Sequence, residues 1–199
     1  MKKLLGFLAM VTAACAMTSA AAQAAPPEWL SNGKPIPAGV VEPVATSGKL
    51  TITLRAATGG PISTINCKVV DEENIQNTPE GGLDEMKDIR FAGCKAKPSP
   101  CPAGTVTEIR ALGLPWRSQL IPGPPIRDEF FGVALEVTCS GKILVGVYIG
   151  TLSPEVGKSV LVFGPGSGML SEPKSGGFAE ITGKDKLKGP PGDTKITAA

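Results

Sequence analysis

The chain has 199 residues and a formal net charge of +2, with 20 basic residues against 18 acidic ones. It contains no histidine, which excludes Ser-His-Asp and Cys-His catalysis, histidine-ligated zinc or copper, and an imidazole general base. Its 25 glycines and 19 prolines indicate a chain with many turns.

Residues 1–24 have the layout of a secretory signal peptide. The start MKK is positive, the apolar run after it is too short for a membrane-spanning helix, and AQA at residues 22–24 is a small-x-small cleavage site. Lipidation at Cys15 is the alternative, but Thr12 stands where a lipid-attachment box usually has a large aliphatic residue. Cleavage removes two of the 20 basic residues and leaves 18 against 18 acidic ones. The remaining chain is neutral, so its net charge predicts neither nucleic-acid binding nor attraction to an anionic membrane.

Residues 25–199 alternate short apolar runs with turns rich in Gly, Pro and Asn, and no run keeps a helical period. Period-two alternation is clearest in GKLTITLRA (48–56), FFGVALEVTC (130–139) and KILVGVYIG (142–150), and a tight hairpin at Ser140 joins the last two. About ten short strands predict a single antiparallel β-sandwich or barrel domain. In FFGVALEVTC the alternation places Phe131 on the inward face with Val133. The remaining strands are predicted to start near Val40, Ile62, Met86, Thr105, Lys158, Phe178 and Thr194.

The stretch DEENIQNTPEGGLDEMKD (71–88) crowds carboxylates and amides into a region with two adjacent glycines. Hard oxygen ligands on a Gly-containing loop suit calcium. The spacing does not match an EF-hand, so we interpret the stretch as a solvated hairpin loop and expect neither a metal nor another cofactor. The residues that a calcium site would use are Asp71, Glu72, Glu73, Asp84 and Glu85.

Two aromatic residues are the candidate ligand contacts. The run LPWRSQLIPGPPIRDE (114–129) is too rich in proline for a central strand and is predicted to be a long surface loop that carries Trp116. Tyr148 lies on the strand KILVGVYIG. Packing within the core or the loop is the competing interpretation for Trp116.

Four cysteines remain after residue 24, namely Cys67, Cys94, Cys101 and Cys139. An even number of cysteines in an exported chain predicts two structural disulfides, and the spacing suits neither a zinc site nor a C-x-x-C redox site. Cys67 and Cys139 both fall on inward strand faces. Of the three connectivities, the pattern therefore favours Cys67–Cys139 with Cys94–Cys101.

Several segments taken together carry a resemblance to a known group, among them PEWLSNGKPIPAG, INCKVVDEENIQN and GTLSPEVGKSVLVFGPGSG. The chain resembles a group of exported bacterial β-proteins, common in soil actinobacteria, to which no function is assigned. The resemblance spans nearly all of residues 25–199. It implies an exported, disulfide-bearing β-domain and brings no catalytic residue to transfer.

These observations predict a secreted or periplasmic, non-enzymatic structural or interaction domain of the cell envelope or extracellular space. Its partner is unknown, and no membrane span is expected after signal cleavage. One alternative is a closed-barrel carrier of a small apolar ligand, which needs an apolar cavity. The other is a carboxylate-dependent hydrolase, which needs two carboxylates converging in a cleft, one of them with a raised pKa.

Overall fold

The structure is a computed structural model that describes residues 25–103, 105, 107–140, 143–189 and 194–199. All regular structure in these residues is β, which confirms the predicted fold class. None of the described segments forms a helix long and apolar enough to cross a membrane. The predicted signal peptide, with Cys15, lies outside the described residues.

The described residues form fourteen strands. They are β1 (Trp29–Ser31), β2 (Lys34–Pro35), β3 (Val41–Arg55), β4 (Pro61–Thr78), β5 (Gly81–Lys97), β6 (Thr107–Leu112), β7 (Trp116–Ile121), β8 (Arg127–Cys139), β9 (Ile143–Leu152), β10 (Glu155–Gly157), β11 (Val160–Phe163), β12 (Met169–Ser171), β13 (Phe178–Lys188) and β14 (Ile196–Ala198).

Eleven of these strands form one antiparallel sheet that closes on itself. The ring runs from β3 to β4 and β5, then through β6 and β7, which both lie between β5 and β8. It continues through β9, β12 and β13, and β13 pairs back onto β3 from Phe178–Arg55 to Lys188–Ala45. Because of this closure the domain is a barrel, which decides between the two predicted architectures.

A small three-stranded sheet, in the order β14-β1-β2, packs at the barrel end near the β4–β5 turn. Trp29 on β1 is fully buried, and its indole nitrogen donates to the carbonyl oxygen of Leu83 at 3.0 Å. The Asn77 side chain accepts from the amide of Trp29 and donates to the carbonyl oxygens of Trp29 and Ile36, at 2.7 to 2.9 Å. One buried amide group therefore holds the N-terminal segment against the barrel.

The predicted loop over residues 71–88 is wrong. β4 runs through to Thr78 and β5 begins at Gly81, so Pro79 and Glu80 alone form the turn. The backbone of this region pairs with β3 on one side and within the hairpin on the other. The acidic side chains consequently alternate between the interior and solvent.

The predicted surface loop over residues 114–129 is also wrong, because it contains β7 and the start of β8. The prolines lie outside these strands, at positions 115, 122, 124 and 125, so the six residues between them remain free to pair. β7 pairs with both β5 and β8. Trp116 is thereby part of the core rather than of an exposed loop.

The predicted inward position of Phe131 is wrong as well. The β8–β9 register shifts between Phe130 and Val133, and Gly132 has a φ of +65°, in the left-handed region that glycine adopts readily. This bulge turns Phe130 into the core and leaves Phe131 44% exposed.

The two predicted disulfides are present, but their predicted connectivity is wrong. Cys67 on β4 bonds to Cys94 on β5, with the Cα atoms 4.2 Å apart, and Cys101 bonds to Cys139 at the end of β8, at 5.6 Å. β4 and β5 are neighbours in the sheet, and a register irregularity between Asn66 and Lys68 places Cys67 beside Cys94. An inward face shared by two cysteines does not fix which of them are neighbours.

Candidate functional site: a buried layer of carboxyl groups

Among the described residues, five carboxyl side chains lie inside the barrel at 5% exposure or less, although acidic residues are rarely so buried without a partner charge. We refer to them as the carboxyl layer. β4 supplies two of them from successive inward positions, and β5, β8 and β13 supply one each. They are Asp71, Glu73, Asp84, Asp128 and Asp185.

Asp71 and Asp185 approach each other across β3. Asp71 is paired in register with Thr46, and Asp185 with Gly48, two residues further along the same strand. The Thr46 hydroxyl donates to the carboxyl group of Asp71. A Cβ atom at Gly48 would overlap the backbone oxygen of Lys184 and would lie 2.8 Å from Oδ1 of Asp185. Glycine at this position therefore lets both the β13 backbone and the Asp185 carboxyl group lie close to β3.

Glu73, Asp84 and Asp128 form the other half of the layer. Asp84 on β5 is opposite Ser118 on β7, whose hydroxyl donates to Oδ1 of Asp128 at 2.5 Å. Asp84 is within hydrogen-bonding reach of both Glu73 and Asp128. The three carboxyl groups thus form a continuous chain that ends at the Ser118 hydroxyl.

Several oxygen atoms of the layer have no hydrogen-bond donor among the described residues. These are both carboxyl oxygens of Glu73 and of Asp84, Oδ2 of Asp128 and Oδ1 of Asp185. An ionised carboxylate only accepts, so two carboxyl groups bond to each other only when one of them carries a proton. The contacts of Asp84 with Glu73 and Asp128 therefore become hydrogen bonds when the layer holds protons.

No cationic side chain offsets the layer among the described residues. The five ion pairs in that part of the chain all join an arginine to a carboxylate outside the layer. An uncompensated buried charge is costly, and a carboxyl group responds by taking up a proton.

The same burial raises every pKa in the layer. Desolvation, with a contribution from the nearby Asp185, raises the pKa of Asp71 to about 8. Desolvation raises the pKa of Asp128 to about 7, against the hydrogen bond from Ser118 that lowers it. Burial holds the pKa of Glu73 and of Asp84 well above the usual range, with negative neighbours adding to the effect, and it also raises the pKa of Asp185. At neutral pH the layer therefore retains protons.

The five residues named for calcium are not brought together. Asp71, Glu73 and Asp84 point into the barrel, whereas Glu72 and Glu85 lie on its outer side. Within the described ranges, no group of three or more His, Cys, Asp or Glu side chains has a geometry that could hold a metal ion.

The two aromatic candidates for ligand contact are both buried. Trp116 is 3% exposed, and its indole nitrogen donates to the carbonyl oxygen of Leu112 at 2.8 Å. Tyr148 is 5% exposed, and burial, with Glu172 nearby, raises its pKa. Trp116 lines an apolar cavity of about 20 Å³ in the barrel core. Neither ring is presented to solvent.

A signal for the carboxyl layer is present in the sequence. Ile65, Cys67 and Val69 define an inward face, and continuing the period-two pattern places Asp71 and Glu73 on that face. Because these residues are charged, the segment was predicted to be a loop and its period-two alternation was not used. The pattern holds no comparable signal that Asp128 and Asp185, more than 50 residues away, would join them.

No protein-family model, no curated protein and no solved structure matches this chain. The resemblance to exported actinobacterial β-proteins therefore stays a prediction.

Proposed function

We propose that the chain is an exported, non-enzymatic structural or interaction domain of the cell envelope or extracellular space. The observation that carries this proposal is the sealed interior. The carboxyl layer, which has the most strongly altered acid–base chemistry in the described structure, is at most 5% exposed. Both carboxyl oxygens of Glu73 and of Asp84 are buried from solvent, so neither group can contact a substrate in this conformation.

The sealed layer argues against a carboxylate-dependent hydrolase. Such an enzyme needs two carboxyl groups flanking a cleft that admits the scissile bond. Asp84 and Asp128 have the raised pKa that a general acid needs, but they lie at 3% and 0% exposure. Raised pKa values alone do not make the pair catalytic, because buried structural networks also shift them.

The filled core argues against a carrier of small apolar ligands. Ligand sites usually occupy roughly 300–1,000 Å³. The apolar cavity at the centre of the barrel measures about 20 Å³. A larger surface pocket of about 1050 Å³ is bordered by the charged side chains of Glu108, Arg110 and Glu136, which do not suit an apolar ligand. The two disulfides fit an oxidising compartment and thereby support export.

Native mass spectrometry of the protein purified from its own host tests the proposal. We expect a chain that begins Ala25-Pro26-Pro27, carries two disulfides and retains no ligand. An apolar molecule that co-purifies would establish the carrier instead. A diacylglyceryl group on Cys15, or a retained Met1, would overturn the predicted processing.

A paired set of variants tests the hydrolase alternative. Glu73→Gln changes the buried layer, and Glu72→Gln changes its exposed neighbour on the same strand. We expect no glycan hydrolysis from the wild-type protein. Hydrolysis that Glu73→Gln abolishes and Glu72→Gln leaves intact would show that the protein is an enzyme.

A further inference from the structure

Seven exposed lysines of the described residues lie on the outer surface of the barrel around β13, although the chain after residue 24 has equal numbers of basic and acidic residues. We call this surface the lysine face. Its members come from β3, β4 and β13 and from the segments next to β11 and β14. They are Lys49, Lys68, Lys158, Lys184, Lys186, Lys188 and Lys195.

Three of these lysines form a row across adjacent strands. Lys184 on β13 is paired in register with Lys49 on β3, and Lys49 is paired with Lys68 on β4. Neighbouring strands lie about 4.8 Å apart, and directly opposite residues point to the same side of the sheet. Like charges placed directly opposite each other destabilise a sheet.

The row continues along β13 and into a groove. Lys186 and Lys188 follow Lys184 at two-residue steps, which keeps all three on the outer side at intervals of about 7 Å. Lys158 and Lys195 line a surface groove together with Lys186 and Lys188. The positive charges are therefore continuous over three strands and the adjoining groove.

These charges are not neutralised within the protein. No lysine of the face takes part in an ion pair in the described part of the chain. Three carboxylates lie at its edge in the described structure. Glu42 accepts a hydrogen bond from Ser31, and Glu72 is separated from Lys188 by Ala45. Glu155, which pairs with Arg127, is separated from Lys184 by Val162.

We propose that the lysine face binds a linear polyanion with closely spaced phosphate groups. The proposal rests on the interaction role proposed above and gives the class of partner. A dense row of ammonium groups gains most from a partner that neutralises several of them at once and releases its own counterions. Lysine supplies point charges rather than bidentate geometry, so it recognises phosphate density and not sequence.

The composition of the face favours a phosphate polymer over a nucleic acid or a membrane. Single-stranded nucleic acids are usually held by exposed aromatic rings as well as by positive charge. The only aromatic among the large exposed apolar residues in the described ranges is Phe131, which is on β8 and outside the face. The large exposed apolar residues on the described parts of β3 and β4 are Val41, Ile62 and Val70. Of these, only Val70 lies within two residues of a lysine of the face, which leaves little to insert into a bilayer.

Isothermal titration of the full chain with inorganic polyphosphate tests the proposal, at salt concentrations between about 50 and 200 mM. We expect binding that weakens with salt. The double variant Lys49→Gln/Lys184→Gln should bind at least about 10-fold more weakly, with the slope of log affinity against log salt reduced by about 1 to 2. The control Lys97→Gln/Lys174→Gln removes the same charge from other exposed positions and should bind within about 2-fold of the wild type.

A second pair, Lys158→Gln/Lys186→Gln, repeats the test in the groove should the first variant fold poorly. Absence of polyphosphate binding at low salt, or an equal loss in the control, would overturn the proposal. Two further results would replace it: tighter binding of a single-stranded oligonucleotide of equal charge, or binding to phosphatidylglycerol vesicles without binding to polyphosphate. None of these outcomes would contradict the proposed function as an exported domain with a filled core, because native mass spectrometry tests that proposal separately.

Discussion

Replacement of Asp71 by asparagine should change how the stability of the protein depends on pH. The new amide side chain would resemble the protonated form of the native carboxyl group, since its oxygen can accept from Thr46 and its NH₂ group can donate to Asp185. It cannot ionise. The variant therefore retains the hydrogen bonds of the layer and removes one titrating group.

The sign follows from the direction of the pKa shift. The pKa of Asp71 is raised from 3.8 to about 8. Its contribution to stability is complete below the unfolded-state pKa and is lost progressively as the pH rises towards the folded-state value. The other four carboxyl groups of the layer are shifted in the same direction. The wild-type protein should consequently lose stability from mildly acidic to mildly alkaline pH.

The magnitude follows from the same shift. Between its unfolded and folded pKa values, one such group lowers the free energy of unfolding by about 1.4 kcal/mol for each pH unit. Between pH 5 and pH 8 the difference in stability between Asp71→Asn and the wild type should thus change by about 4 kcal/mol in favour of the variant. For a chain of this size that corresponds to roughly 8–15 °C in the midpoint temperature.

Urea unfolding followed by circular dichroism, at constant ionic strength and several pH values, measures this difference. Glu72→Gln is the matched control, because Glu72 is the exposed neighbour on the same strand, and its difference from the wild type should stay within about 0.5 kcal/mol at every pH. A wild-type stability that is flat or rises between pH 5 and pH 8 would refute the reasoning. An unchanged pH slope in Asp71→Asn would do so as well.

Three other outcomes follow from the structure. Non-reducing peptide mapping should recover Cys67–Cys94 and Cys101–Cys139 peptides. The two bonds close similar spans of 27 and 38 residues. Replacing either pair with alanine should therefore lower the free energy of unfolding by about 3–4 kcal/mol in the chain-entropy model. Asn77→Ala should lower the free energy of unfolding by roughly 3 kcal/mol in chemical denaturation, since it leaves backbone groups of Trp29 and Ile36 without partners, and a loss below about 1 kcal/mol would contradict the role of Asn77 in holding the N-terminal segment. Calcium titration should leave the midpoint temperature nearly unchanged, whereas a rise of several degrees that magnesium does not reproduce would show that the acidic strands hold the ion.

Alternation predicted the strands well where the side chains were apolar, except at the Gly132 bulge that turns Phe131 outward. The runs around Leu50, Val137 and Val147 lie in β3, β8 and β9, and the hairpin between the last two is antiparallel as expected. The alternation was disregarded where the composition of a segment indicated a loop. Proline around β7 and carboxylates in β4 and β5 each indicated a loop, although the prolines flank the strand and the inward carboxyl groups take up protons.

The sequence by itself determined the class of fold, the even set of cysteines and the absence of histidine chemistry, because these depend only on residue type and local period. Tertiary structure alone decided which elements became neighbours. The pairing of β13 with β3 closes the barrel, brings Asp185 to Asp71 on the inside and sets Lys184 opposite Lys49 on the outside. The same limit explains the disulfides, since Cys67 faces inward in either connectivity and only the β4–β5 register selects Cys94. The period-two pattern determines which side of the sheet a residue faces, and the strand register determines which residues lie next to it on that side.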